Sequence, residues 1–249
     1  MQRRYAAGIL AVFALAVLTA AADDFWAKKD WTQWSASECK KMLEDSPWAR
    51  RVMKENQSNV NRLPSAGNQG TGAQPGTAEE SSGKDTGEIN YVVQMRSAAP
   101  IRQALIRQAQ IDRQYDKMTD ADKKAFDAQM EKLYKYNDDT IAVHVRYYGN
   151  RDPLGTDLEK SWKSLPPDTV PADMILISSN GTKVTPLTFV ADPDGKDEFD
   201  LTFPRSAFAQ GLKTFKLQIP SPALGDFPSA KVMVEFKVDK MTFGGKPAF

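Results

Sequence analysis

The chain has 249 residues, with 33 Lys and Arg against 32 Asp and Glu, a formal net charge of +1, and 41% hydrophobic and 10% aromatic residues. That is ample apolar material for a packed core and too little net charge to gather nucleic acid or an anionic membrane surface. A single cysteine, Cys39, and a single histidine, His144, exclude an internal disulfide and leave no usual ligand set for zinc or copper.

Residues 1–22 read as a secretory signal. Arg3 and Arg4 supply a positive start, Ala7 to Leu18 is apolar, and Ala20-Ala21-Ala22 is a small-residue cleavage site. The run is shorter than the roughly 20 apolar residues of a spanning helix, so cleavage is favoured over an uncleaved anchor. The mature chain is therefore expected in the periplasm or the secreted fraction, with no integral membrane span after signal removal. No cysteine follows the small residues directly, so Cys39 is not a lipid-attachment site. Burial as a small apolar residue on a helix is its expected role, against an intermolecular disulfide or reactive thiol.

Residues 23–62 form a tryptophan-rich leader, with Trp26, Trp31, Trp34 and Trp48 beside Phe25. Ser35 and Glu38 fit a capping box opening a helix that carries Cys39, Met42 and Leu43 on one face. Pro47 ends that helix, and Ser46-Pro47 is expected to start a second one continuing through Val52 and Met53. Residues 63–87 are different in kind. From Pro64 to Gly87 there is no aromatic or branched aliphatic side chain, and Gly, Ser, Thr, Gln and Pro dominate. Such a composition buries too little to offset its ordering entropy, so a disordered linker is expected there.

From residue 88 to 249 the pattern has period two. Tyr91, Val93 and Met95 share a face opposite Gln94 and Arg96. Ile141, Val143, Val145 and Tyr147 alternate with Ala142, His144, Arg146 and Tyr148, and Phe199, Leu201 and Phe203 alternate with Glu198, Asp200 and Thr202. Phe215, Leu217 and Ile219, then Val232, Val234, Phe236 and Val238, repeat the alternation. Strands with one face in a core and one in water favour antiparallel pairing. Asn180-Gly181, between Met174–Ser178 and Lys183–Val190, predicts a type I′ hairpin. The expected fold is mainly β, an antiparallel immunoglobulin-like β-sandwich. It carries an inserted α-helical hairpin over about 100–136 (Pro100–Tyr115 and Asp120–Tyr136) and the short helical leader. Ile101, Leu105, Ile111 and Tyr115 make the first helix stripe, Phe126, Met130 and Leu133 the second, and Thr119 caps the second helix.

The strings Trp31-Thr32-Gln33-Trp34-Ser35, Glu38-Cys39 and Ser46-Pro47-Trp48-Ala49 resemble the leader of a family of uncharacterised exported bacterial proteins. Ser97-Ala98-Ala99-Pro100-Ile101-Arg102 and Phe236-Lys237-Val238 are similar to the later part of that family. The resemblance touches about half the chain and implies a bacterial envelope setting. It brings no activity.

No catalytic residue and no cofactor are expected. His144 falls opposite the apolar row, as an exposed or helix-covered structural histidine, and no Gly-x-Ser-x-Gly elbow exists to pair with it. Asp192, Asp194, Asp197 and Asp200 crowd around Gly195, but Gly falls fourth where an EF-hand needs it sixth, so a Pro193-Asp194-Gly195 turn explains them better than calcium. Arg102, Arg107 and Arg113 do not line up at helical spacing and read as a solvated mixed-charge face. The candidate binding residues are Trp26, Trp31, Trp34 and Trp48, since exposed rings bind sugars and anchor interfaces; packing of the leader onto itself or the β region is the alternative. The expected function is an exported non-enzymatic module binding a protein or glycan partner in the envelope. The alternatives are a metal-independent hydrolase using paired carboxylates and a purely structural role.

Overall fold

The computed structural model describes residues 24–55, 87–166, 169–191, 197–208, 211–225 and 227–249. The expected signal and nearly all of the expected linker lie outside the described residues. A four-residue helix α1 (Phe25–Lys28) leads into α2 (Ala36–Glu44). The capping box forms as predicted: Ser35 Oγ accepts from the Glu38 N–H at 3.3 Å, and Glu38 Oε2 accepts from the Ser35 N–H at 2.8 Å. Lys29 beside it, at 2.7 Å, holds the Glu38 carboxyl below its ordinary range. Cys39 and Met42 on the inner side of α2 are fully buried.

The second leader helix does not form. Ser46 Oγ donates to the Met42 carbonyl at 2.7 Å and accepts from the Trp48 and Ala49 N–H groups at 3.2 and 3.1 Å. That closes a tight turn, and the chain leaves as strand β1 (Ala49–Glu55). The Ser46-Pro47 start signal is local, whereas strand β2 (Glu88–Met95) offers β1 a full ladder from Ala49↔Gln94 to Glu55↔Glu88. Tertiary pairing overrides local propensity. Because the ladder runs to Glu55↔Glu88, the leader and the chain from residue 88 onward share one sheet.

The remaining strands are β3 (Thr140–Gly149), β4 (Ile175–Ser178), β5 (Lys183–Val184), β6 (Thr188–Ala191), β7 (Glu198–Pro204), β8 (Thr214–Ser221) and β9 (Ala230–Lys237), with a two-residue pair β10 (Thr242–Phe243) and β11 (Lys246–Pro247). One antiparallel sheet has the order β1-β2-β3-β7-β6, a second β5-β4-β8-β9. The inner rows predicted from period two, including Tyr91, Val93, Val145, Phe199, Phe215, Leu217, Val234 and Phe236, are buried in one core shared by both sheets, with Val238 at the end of the last row only partly buried. Tyr91 Oη donates to Ser221 Oγ across that core at 2.9 Å.

The expected Asn180-Gly181 hairpin joins β4 to β5, but the turn is not type I′. Gly181 has φ +85° while Asn180 keeps a negative φ, and Asn180 Oδ1 accepts from the Thr182 N–H at 3.0 Å. A glycine in the left-handed region closing a three-residue loop is the second common hairpin solution. The run expected as one strand over 183–190 is two strands, β5 in one sheet and β6 in the other.

The helical hairpin forms as α3 (Ala99–Asp112) and α4 (Asp120–Leu133), with Thr119 Oγ1 accepting from the Asp122 N–H at 3.2 Å. Ile101, Phe126 and Met130 are buried as expected, whereas Leu133 is 56% exposed. A further helix, α5 (Leu154–Lys163), has no counterpart among the sequence expectations. Its Leu154, Leu158 and Trp162 recur every four residues and are buried, with the Trp162 ring 4.8 Å from that of Phe199. Gly149 permits its approach, since a Cβ there would meet the Gly155 backbone N at 2.7 Å.

Candidate functional site

Helices α2 and α3 pack on each other, and α2 also packs on β1 and β2 of the first sheet. The Arg107 Nε–H of α3 donates to the Trp34 carbonyl at 3.0 Å, which pins α3 to the segment that opens α2. At the edge of this packing lies an open cleft of about 530 Å³. Its floor is Gln94 and Arg96 at the end of β2, His144 and Arg146 of β3 and Glu198 of β7; its wall is Ala36, Ser37, Lys40, Leu43 and Glu44 of α2 with Leu105 and Gln108 of α3. The floor is the polar row of the period-two pattern, brought together by the register Gln94↔His144, His144↔Asp200 and Arg146↔Glu198.

Most charges in this cleft are already engaged. The buried His144 ring lies between two carboxylates of β7, with Nδ1 2.9 Å from Asp200 Oδ1 and Nε2 3.4 Å from Glu198 Oε2. Both ring nitrogens thus face carboxylates, whereas a general base needs one turned toward a substrate proton. Arg146 Nη2 lies 3.0 Å from Glu44 Oε1 and ties the sheet to the end of α2. Gln94 Nε2 donates to the Leu43 carbonyl at 2.7 Å, fixing the amide; its Oε1 is buried and has no hydrogen-bond partner among the described residues. The Arg96 Nε is likewise buried without a partner among the described residues. Burial pushes the nearby Tyr136 hydroxyl up, with the Arg96 charge opposing that shift. A buried amide oxygen and a guanidinium N–H left unmatched each cost on the order of 1–3 kcal/mol, a cost that a ligand carrying the complementary groups removes.

Two of the four tryptophans expected to form a docking surface are withdrawn from it. Trp34 and Trp48 are fully buried, and their rings pack edge-on against Phe25 at 5.2 Å and Trp26 at 5.9 Å. The Trp48 Nε1–H donates to the Ala248 carbonyl. Trp26 and Trp31 are half-buried against the same core. Packing therefore accounts for Trp34 and Trp48, which have no surface to offer a ligand, while Trp26 and Trp31 keep part of theirs. Their work is to seal α1, α2 and β1 to the rest of the chain.

Asp192, Asp194 and Gly195 lie outside the described residues, while Asp200 is taken up by His144. Burial raises Asp197, with the Glu159 charge adding to the shift. No group of three or more His, Cys, Asp or Glu side chains among the described residues is placed to hold a metal. No described helix is long and apolar enough to cross a membrane. Arg102 and Arg113 serve the hairpin itself, Arg102 donating to the Tyr134 carbonyl at 3.4 Å and Arg113 reaching Gln129 at 3.2 Å and lying over the Phe126 ring, whereas Arg107 ties it to Trp34. The sequence put Gln94 with Arg96, and His144 with Arg146, on outward faces. It did not show that α2 roofs both, because the stretch after α2 was expected to be helical.

No protein-family model matches the chain, and no curated protein matches it. Among solved structures, a protein of unknown function from Burkholderia pseudomallei is similar over 58% of this chain and 73% of its own, at 12% identity and a TM-score of 0.37.

Proposed function

We propose that this chain is a non-enzymatic binding module acting in the bacterial envelope or secreted fraction, and that it takes a protein segment in the cleft between α2, α3 and the outer face of the first sheet. The observation that carries the reading is the Gln94 amide oxygen, buried at the cleft floor without a partner among the described residues. An extended peptide supplies the N–H groups and carbonyls that such a floor lacks. A glycan is the lesser reading, since no Phe, Tyr or Trp ring lines the cleft to stack on a sugar face. We assign the two antiparallel sheets to a sandwich of immunoglobulin-like kind on the same footing; their shared core and the passage of the chain from β5 in one sheet to β6 in the other support that assignment.

Catalysis by paired carboxylates is the competing reading. Glu44 and Glu198 both line the cleft, but Glu44 is paired with Arg146 and Glu198 faces His144. Neither stands as an unpaired proton donor beside an open site, which glycoside cleavage requires. The test is to pan the mature chain against a displayed peptide library and a glycan array, with Lys40→Glu and Gln94→Met alongside. Enriched peptides whose retention drops in both variants support the proposal. Retention unchanged by both substitutions, or enrichment of glycans alone, overturns it.

A further inference from the structure

We infer that the group captured in this cleft is the free C-terminal carboxylate of an extended peptide, an inference that rests on the peptide-binding reading above and names the part of the peptide recognised. Four basic side chains line the site. Arg146 is matched by Glu44 at 3.0 Å, and His144 by Asp200 and Glu198 at 2.9 and 3.4 Å. Lys40 and Arg96 make no hydrogen bond or ion pair among the described residues, and the Arg96 Nε is buried. The cleft therefore holds two unmatched cationic side chains, one of them a planar guanidinium whose fork fits two carboxylate oxygens.

The wall adds to that preference. Ala36 and Ser37, the first two residues of the nine-residue helix α2, line the cleft. Their N–H groups have no partner within a helix by position, and the capping box engages only those of Ser35 and Glu38. The positive end of the helix dipole thus borders the same volume as Lys40 and Arg96.

An inorganic anion would satisfy these donors but not Gln94. That side chain is only 7% exposed, its nitrogen is held by the Leu43 carbonyl, and its oxygen needs a donor. A peptide terminus brings both groups together: carboxylate oxygens for Arg96 and Lys40, and the backbone N–H just before them for the Gln94 oxygen. Leu43 and Leu105 line the same space and give an apolar last side chain somewhere to pack. A volume of about 530 Å³ holds two or three residues, within the range of ordinary ligand sites.

The experiment measures fluorescence anisotropy of the full mature chain with dye-labelled hexapeptides ending in Leu, Val or Phe, each made as the free acid and as the C-terminal amide. A third set carries an internal Glu with an amidated end. The free acids are expected to bind at least about tenfold more tightly than the amides, the worth of one charge-assisted contact. That preference should fall below about threefold in Lys40→Gln and in Arg96→Gln. Lys40 is exposed, so its substitution leaves the fold intact even if Arg96→Gln does not. Acids and amides binding equally, with both weakened by Gln94→Met, would overturn the carboxylate inference and leave the peptide-binding reading standing. Internal-Glu amides matching the free acids would overturn the assignment to the terminus. Absence of binding by every peptide would overturn both.

Discussion

Replacing Trp48 by Ala tests whether the leader is a structural part of the fold. The ring is fully buried, packs edge-on at 5.9 Å from Trp26 and 6.4 Å from Phe243, and its indole N–H donates to the Ala248 carbonyl. Truncating a buried Trp costs about 3–5 kcal/mol, and the lost hydrogen bond adds about 1 kcal/mol. With a urea slope of about 2 kcal/mol per molar, the unfolding midpoint should fall by about 2–3 M while the slope stays constant. Far-UV circular dichroism reads this without relying on tryptophan fluorescence, which the substitution itself changes. Trp31→Ala is the control: that ring is only half-buried and makes no ring-to-ring contact of the kind Trp48 makes, so its shift should be under half as large. A Trp48→Ala midpoint within about 0.3 M of wild type would refute the reasoning, because no fully buried indole can be removed so cheaply.

Three further outcomes follow from the same packing. A protease site placed within 63–87 and cut should leave the two fragments co-eluting on gel filtration, since β1 stays paired with β2 over seven residues; release of the leader would contradict the pairing. Gly149→Ala should destabilise by about 1–3 kcal/mol, because its Cβ would meet the Gly155 backbone N at 2.7 Å, and an unchanged melting temperature would show that α5 does not pack as described. Alkaline titration should weaken the fold in a defined window. Burial pushes Cys39 from 9.0 to about 11 and Tyr91 from 10.0 to about 12, so both favour the protonated folded state. Their contribution is full below pH 9, declines as pH rises past 9 and 10, and is lost by about 12. Stability that is flat from pH 8 to 11, or rapid alkylation of Cys39 in the native protein at pH 8, would sink that account.

The strands were legible because their information is local. Tyr91, Val93 and Met95, or Phe199, Leu201 and Phe203, each state the period within a few residues, and a slip of one would turn every core side chain outward. The caps of α2 and α4 were legible for the same reason: Ser35 with Glu38, and Thr119 with Asp122, act across three residues. What failed was the stretch after Ser46, where Pro47 announces a helix but the edge of β2 supplies a seven-residue partner that only the folded chain reveals. Helix α5 was missed for a different reason. Leu154, Leu158 and Trp162 give a clear spacing of four, yet only three apolar residues carry it in ten, among acids and lysines.

The cleft combines both lessons. Its floor could be drawn from alternation alone, since Gln94, Arg96, His144 and Arg146 occupy outward positions in strands whose inward positions are unmistakable. Its roof could not, because placing α2 over that floor requires β1 to pair with β2 at the register that brings Leu43 and Glu44 to Gln94 and Arg146. Once 49–55 is a strand of the sheet, Trp34 and Trp48 are drawn into the core, and it is the polar groups beneath α2 that border the cleft. A leader held this way sets the shape of the cleft. Any substitution that loosens β1 should therefore weaken the peptide binding proposed at Gln94 and Arg96, as read by the same anisotropy titration, even though it touches neither.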